Sequence, residues 1–205
     1  MKPESLDRAI AVSLAAATLI QGVWMGLWSP GGWQWHLISA LAAMAAYQAW
    51  MVRDKLPAHL DMLLLMGALG GLGMILGTWI DKGFPLVPPA PPPAPRAPSL
   101  RPLATWMTWL MLLFAVPAGA AWSRCLAPVR RRPGWLTFAL FLDVAGMLTG
   151  MILAASRWTW PLMRLTGSHF SAHHLAMLVG MLGGMLPAML LRDAVFRLAS
   201  GEKQL

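Results

Sequence analysis

Residues 168–193 read SHFSAHHLAMLVGMLGGMLPAMLLRD. The run is apolar and long enough to cross a bilayer, whose hydrocarbon core of about 30 Å needs about 20 helical residues. Every fourth position carries an imidazole or a thioether: His169, His173, Met177, Met181, Met185 and Met189. His174 stands beside them. A membrane helix with a stripe of soft donors is the element around which the rest of the chain is read.

Working outward, five more apolar runs precede it, at about 9–28, 33–52, 59–80, 104–122 and 135–156, and the quoted run itself spans about 170–191. The expected fold is an all-α polytopic membrane protein of about six transmembrane helices, arranged 3+3. The first half covers 1–80, the second 104–192, and 193–205 is a polar tail. Between the halves, 81–103 holds nine prolines from Pro85 to Pro102. Such a run excludes helix and predicts an extended, semi-rigid spacer. Ser29–Gly32 reads as a turn, 124–133 as a basic loop with Arg130, Arg131 and Arg132, and 157–168 as a loop. Pro117 predicts a kink in the fourth run. A cleaved signal peptide competes for the first run, with Ala15–Ala17 as a mimic of a cleavage site, but the apolar stretch continues well past those alanines.

Composition agrees. Of 205 residues, 58% are hydrophobic and 12% charged, which places the chain in the membrane class. The net charge of +8 does not imply nucleic acid, because the charges fall in short segments between apolar runs. Cys125 is the one cysteine, so an intrachain disulfide and a cysteine metal cluster are both excluded. With six spans, one side collects eleven Lys and Arg and the other five. That asymmetry predicts both termini in the cytoplasm, in a bacterial inner membrane. Trp28, Trp33, Trp35, Trp79, Trp106, Trp109, Trp158 and Trp160 fall near outer ends, and Trp50, Trp122 and Trp135 near inner ends, as an aromatic belt.

Glycines four apart let helices approach closely in lipid. They concentrate in the third run (Gly67, Gly70, Gly71, Gly73, Gly77), the fifth (Gly146, Gly150) and the sixth (Gly180, Gly183, Gly184). Runs three, five and six are therefore expected inside, and one, two and four outside.

Steps of four residues drift about 40° per step on a helix, so the stripe from His169 to Met189 turns about 200° and cannot all face one point. His173, Met177 and Met181 can. Met147, Met151 and Met74 lie at similar depths, roughly 6–12 Å below the outer ends of their helices. His169, His173 and His174 would form an outer capture site, and Met177, Met181, Met147, Met151 and Met74 a holding site. Thioether and imidazole donors suit Cu(I) best among common metals. Packing alone is the competing reading, since methionine fills gaps against glycine-rich faces.

Asp143 sits near mid-membrane in the fifth run, where a carboxylate is costly and functional by default. Its expected roles are charge or proton partner of the cation, at the depth of Met181, with Thr149 or Ser171 as alternative donors to it. His59 and Asp61 read as an interfacial cap. A b-type haem between His36 and His173 or His174 is a third reading. No phosphate loop, metalloprotease pair or activated nucleophile is present, so an enzyme is not expected. The Met-x-x-x-Met spacing resembles that of copper permeases of the Ctr type. The resemblance covers one helix, the span count differs, and no residue role is carried over. The expected function is thus transport or delivery of a soft cation such as Cu(I). The alternative is a non-catalytic assembly subunit of a larger membrane complex, with lipid and other membrane subunits as its partners.

Overall fold

Long apolar runs with few charges satisfy their backbone groups internally as helices. The computed structural model describes residues 3–27, 29, 32–55, 59–83, 101–123 and 134–200. Among them are six α-helices: α1 Pro3–Leu27, α2 Gly32–Met51, α3 Leu60–Lys82, α4 Trp106–Ser123, α5 Gly134–Thr166 and α6 His169–Ser200. Short 3-10 turns cover Arg53–Lys55 and Arg101–Ala104. The bulk of the proline-rich stretch, most of the Ser29–Gly32 turn, the basic loop 124–133 and residues 201–205 lie outside the described residues. Four helices, α1, α3, α5 and α6, are long and apolar enough to cross a membrane, and α4 adds a shorter apolar helix.

The helices pair as three antiparallel hairpins, each closed by glycine. In the α5–α6 hairpin Gly146 faces Gly184 and Gly150 faces Gly180. A methyl group added at Gly150 would land on the Gly180 carbonyl oxygen, so backbone rests on backbone. In α3–α4, Gly73 lies against the Leu110 carbonyl and Gly77 against the Met107 backbone. In α1–α2, Gly22 lies against Ser39. The hairpins join through α1 and α3, where Gln21 Nε2 donates to the Ala68 carbonyl at 2.9 Å. At the far end, Ser171 Oγ donates to the Met25 carbonyl at 2.9 Å. The first residues of α1 and the last of α6 end on the same side of the bundle, since Asp7 pairs with Arg53 and His59 with Asp193 there.

Two elements depart from expectation. The loop expected at 157–168 is helical through Thr166, with Pro161 inside α5. Packing along α6 overrides the proline signal: Thr159 bonds the Ala155 carbonyl at 2.7 Å and approaches His173 Nδ1 at 3.3 Å. Only Gly167 and Ser168 connect the two helices. Gly167 takes a left-handed φ of 66°, a conformation that glycine reaches without a side-chain clash, and its N–H bonds the Met163 carbonyl. The polar tail expected from 193 is also helical, as far as Ser200. At 33 and 32 residues, α5 and α6 are each about 50 Å long and exceed the hydrocarbon thickness.

The position of α4 corrects the expected packing order. It is not an outer helix, because Met111 and Ala115 are fully buried in the shared core. Its start is held by Asp81 at the end of α3: the two carboxylate oxygens accept the N–H groups of Trp106 and Met107, each at 3.0 Å. These are two of the four amide donors that a helix start leaves without intrahelical partners. Asp81→Ala should therefore lower thermal stability by about 0.5–2 kcal/mol, with Asp81→Asn retaining part of it, as read by melting in detergent. Trp50, at the end of α2, packs inside the protein and not on its surface. It is 2% exposed, packed with Leu14 and Ala68, and Arg53 lies 4.8 Å over its ring. By contrast Trp33, Trp106, Trp109 and Trp158 point outward.

Candidate functional site

Ten of the sixteen methionines meet in one buried cluster. Met62, Met66 and Met74 come from α3, Met111 from α4, Met147 and Met151 from α5, and Met177, Met181, Met185 and Met189 from α6. None exceeds 2% exposure. The five methionines singled out from the sequence, Met74, Met147, Met151, Met177 and Met181, are thus brought together, and five more join them. The whole α6 stripe from Met177 to Met189 is buried, although its drift keeps it from facing one point. The drift is absorbed because α6 packs against several helices, so successive thioethers turn from one buried neighbour to the next. Glycine shapes the bed they lie in: a methyl at Gly70 would meet Met181 Sδ at 3.2 Å, and one at Gly119 would meet Met66 Sδ at 3.1 Å.

The histidines stand at one end of this cluster. His169 and His173 are half-buried and stacked, with ring centroids 5.9 Å apart and an 11° tilt. His174, one residue on, turns about 100° away and is buried. Its Nε2 has no hydrogen-bond partner among the described residues, and a buried imidazole nitrogen left open is costly. Met177, three residues further along α6, is the first thioether of the cluster to follow it. His36, the other histidine of the haem reading, is exposed on α2.

Asp143 belongs to the opposite end. The α5–α6 register that sets Gly146 against Gly184 places Asp143 about two turns past the level of Met181, and not beside it. It pairs with neither Thr149 nor Ser171. Its Oδ2 accepts from Arg192 Nη1 at 2.8 Å, and both side chains are at most 2% exposed. The same Nη1 lies 3.9 Å from Met62 Sδ. Arg192 Nε donates to Asp193 Oδ1 at 3.1 Å, and Asp193 Oδ2 lies 3.2 Å from His59 Nε2. A polar chain thus runs from partly exposed His59 and Asp193 to fully buried Asp143. His59 holds a left-handed φ of 84°, the one such non-glycine among the described residues. Asp61 is a local cap, accepting the Met62 N–H at 2.8 Å.

Sequence reasoning missed Arg192, Asp193 and Met62. A signal for Arg192 was present: Met185, Met189, Arg192 and Phe196 follow one another at helical spacing on the buried face. Counted along α6, His174 and Arg192 are 18 residues, or about 27 Å, apart, with the methionines between them. Among the described residues, no three His, Cys, Asp or Glu side chains gather as a ligand set. What the core offers a cation is thioether, with imidazole at one end and carboxylate at the other. The outer seam of α5 and α6 also leaves an open apolar groove of about 720 Å³, lined by Gly150, Gly183 and Leu191 among others. No protein family, curated protein or solved structure matches the chain.

Proposed function

We propose that the chain is an integral membrane protein that moves or delivers a soft cation, Cu(I) above all, along its methionine core. The observation that carries this reading is the single buried cluster of ten thioethers, bounded by His174 at one end and Asp143 at the other. Thioether and imidazole are soft or borderline donors and favour Cu(I) over the hard cations. In this reading His169, His173 and His174 capture the ion, and Met177, Met181, Met147, Met151 and Met74 hold it. All six helices cross the membrane, three on each side of the proline-rich outer spacer, with both ends of the chain in the cytoplasm of a bacterial inner membrane. The Lys and Arg asymmetry supports that orientation.

A second reading, a non-catalytic subunit whose methionines only pack, is favoured by the contacts of Met181 with Gly70 and of Met66 with Gly119. One experiment separates the two. Met177→Leu/Met181→Leu conserves volume and should cost less than about 1.5 kcal/mol per site. Elemental analysis of the purified protein after Cu(I) loading should find near-stoichiometric copper in the parent and little in the double variant. Equal copper in both, or none in either, leaves packing as the role of the stripe. An absorbance scan of the same sample tests the haem reading.

A further inference from the structure

We infer that Asp143 and Met62 form a cation site at the charged end of the methionine core, and that Arg192 fills it here as a tethered cation. The inference rests on the soft-cation reading and extends it to residues that reading does not use.

Three observations converge. Arg192 Nη1 contacts a carboxylate oxygen and a thioether together, Asp143 Oδ2 at 2.8 Å and Met62 Sδ at 3.9 Å. A guanidinium is a weakly hydrated cation; of its two partners here the thioether is the donor that favours a soft ion, and the carboxylate supplies the balancing charge. Met62 is a member of the methionine cluster, so the site is continuous with it. Met147 on α5 and Met189 on α6 each lie one turn from the pair, towards the cluster's centre. Next, Asp143 Oδ1 is buried and has no hydrogen-bond partner among the described residues. An ionised carboxylate has about four acceptor positions, and a purely structural buried pair is expected to fill both oxygens. Here one oxygen is left for another ligand.

The third observation is an alternative seat for the guanidinium. Arg192 Nε already bonds Asp193, which is 28% exposed and held from its other side by His59. A cation arriving from the methionines can take Asp143 while Arg192 swings fully to Asp193. The buried carboxylate keeps one positive partner throughout, so no uncompensated charge is left in the low-dielectric interior. Leaving the site reverses the exchange, and Arg192 displaces the ion.

The test is Cu(I) affinity of the purified full-length protein, measured anaerobically by competition with a chromophoric Cu(I) chelator. Arg192→Gln should bind Cu(I) about tenfold tighter or take up one further equivalent, because its internal competitor is gone. Asp143→Asn/Arg192→Gln should lose that gain. Asp193→Asn, at a partly exposed position, should bind more weakly, because the second seat of Arg192 then carries no charge. Added Cu(I) should raise the melting temperature of Arg192→Gln more than that of the double variant. If the parent binds Cu(I) and both Arg192→Gln and Asp193→Asn match it, the inference is overturned and the methionine reading stands. If the parent binds none while Arg192→Gln binds one equivalent, the inner site stands and the methionine reading falls. If none of the proteins binds Cu(I), both are overturned.

Discussion

Arg192→Met alone is expected to destabilise the protein by about 3–5 kcal/mol, whereas Asp143→Leu/Arg192→Met should come back close to the parent or exceed it. The asymmetry follows from where the charges sit. Both side chains are at most 2% exposed and meet at 2.8 Å. Removing the guanidinium leaves a carboxylate in the interior with one oxygen newly unpaired and the other already so among the described residues. Removing both charges leaves an apolar contact of similar volume against Met62. Unfolding titrations in mixed micelles of the four proteins of this cycle give the coupling energy directly. Four proteins of equal stability would show that the pair is solvated and that the packing around it is not as described.

The second large effect is expected at Gly150. A side chain there collides with the Gly180 carbonyl oxygen and comes within 2.9 Å of the Gly184 Cα, both of them backbone atoms that no rotamer change can move. Gly150→Leu should therefore cost about 3 kcal/mol or more, at or beyond the upper end of ordinary overpacking, by forcing α5 away from α6. Since Met147 and Met151 flank Gly150, the same change should open the methionine core and abolish any Cu(I) binding. Gly183→Ala is the internal control. A methyl at Gly183 meets nothing within 4 Å, so it should stay within about 0.5 kcal/mol of the parent. If the two substitutions cost the same, the backbone contact does not hold the hairpin together.

The parts of this structure that were legible in the sequence are those with a local signal. Apolar length marked the helices, and glycine spacing marked the close contacts at Gly146, Gly150, Gly180 and Gly184. The gathering of Met74, Met147, Met151, Met177 and Met181 also followed, because methionine beside glycine on inner helices has few other places to go. What failed depended on partners remote in sequence. Arg192 looked like the end of a span because a cation ordinarily marks one; its counterion is 49 residues away on another helix. The segment 157–166 looked like a loop because Trp158, Trp160 and Pro161 carry interface and breaker signals, yet contacts with α6 keep it helical. Placing α4 outside followed from its lack of a glycine ladder; the glycines that seat it, Gly73 and Gly77, belong to α3. The full burial of the stripe to Met189 was unreadable from one helix's geometry, since it depends on how many neighbours α6 has.

The separation of Asp143 from Arg192 along the chain has a consequence for synthesis. At about 5–20 residues per second, Asp143 leaves the ribosome some seconds before Arg192 is made. In the membrane placement proposed above, α5 has no counterion to offer its acid during that interval, and an unpaired aspartate inside a span opposes insertion by about 2.5–3.5 kcal/mol. The remaining apolar residues of α5 must carry it across that interval, or the segment must wait at the insertion machinery for α6. The α5–α6 hairpin, joined by only Gly167 and Ser168, is thus best delivered to the bilayer as one unit, with the ion pair already closed.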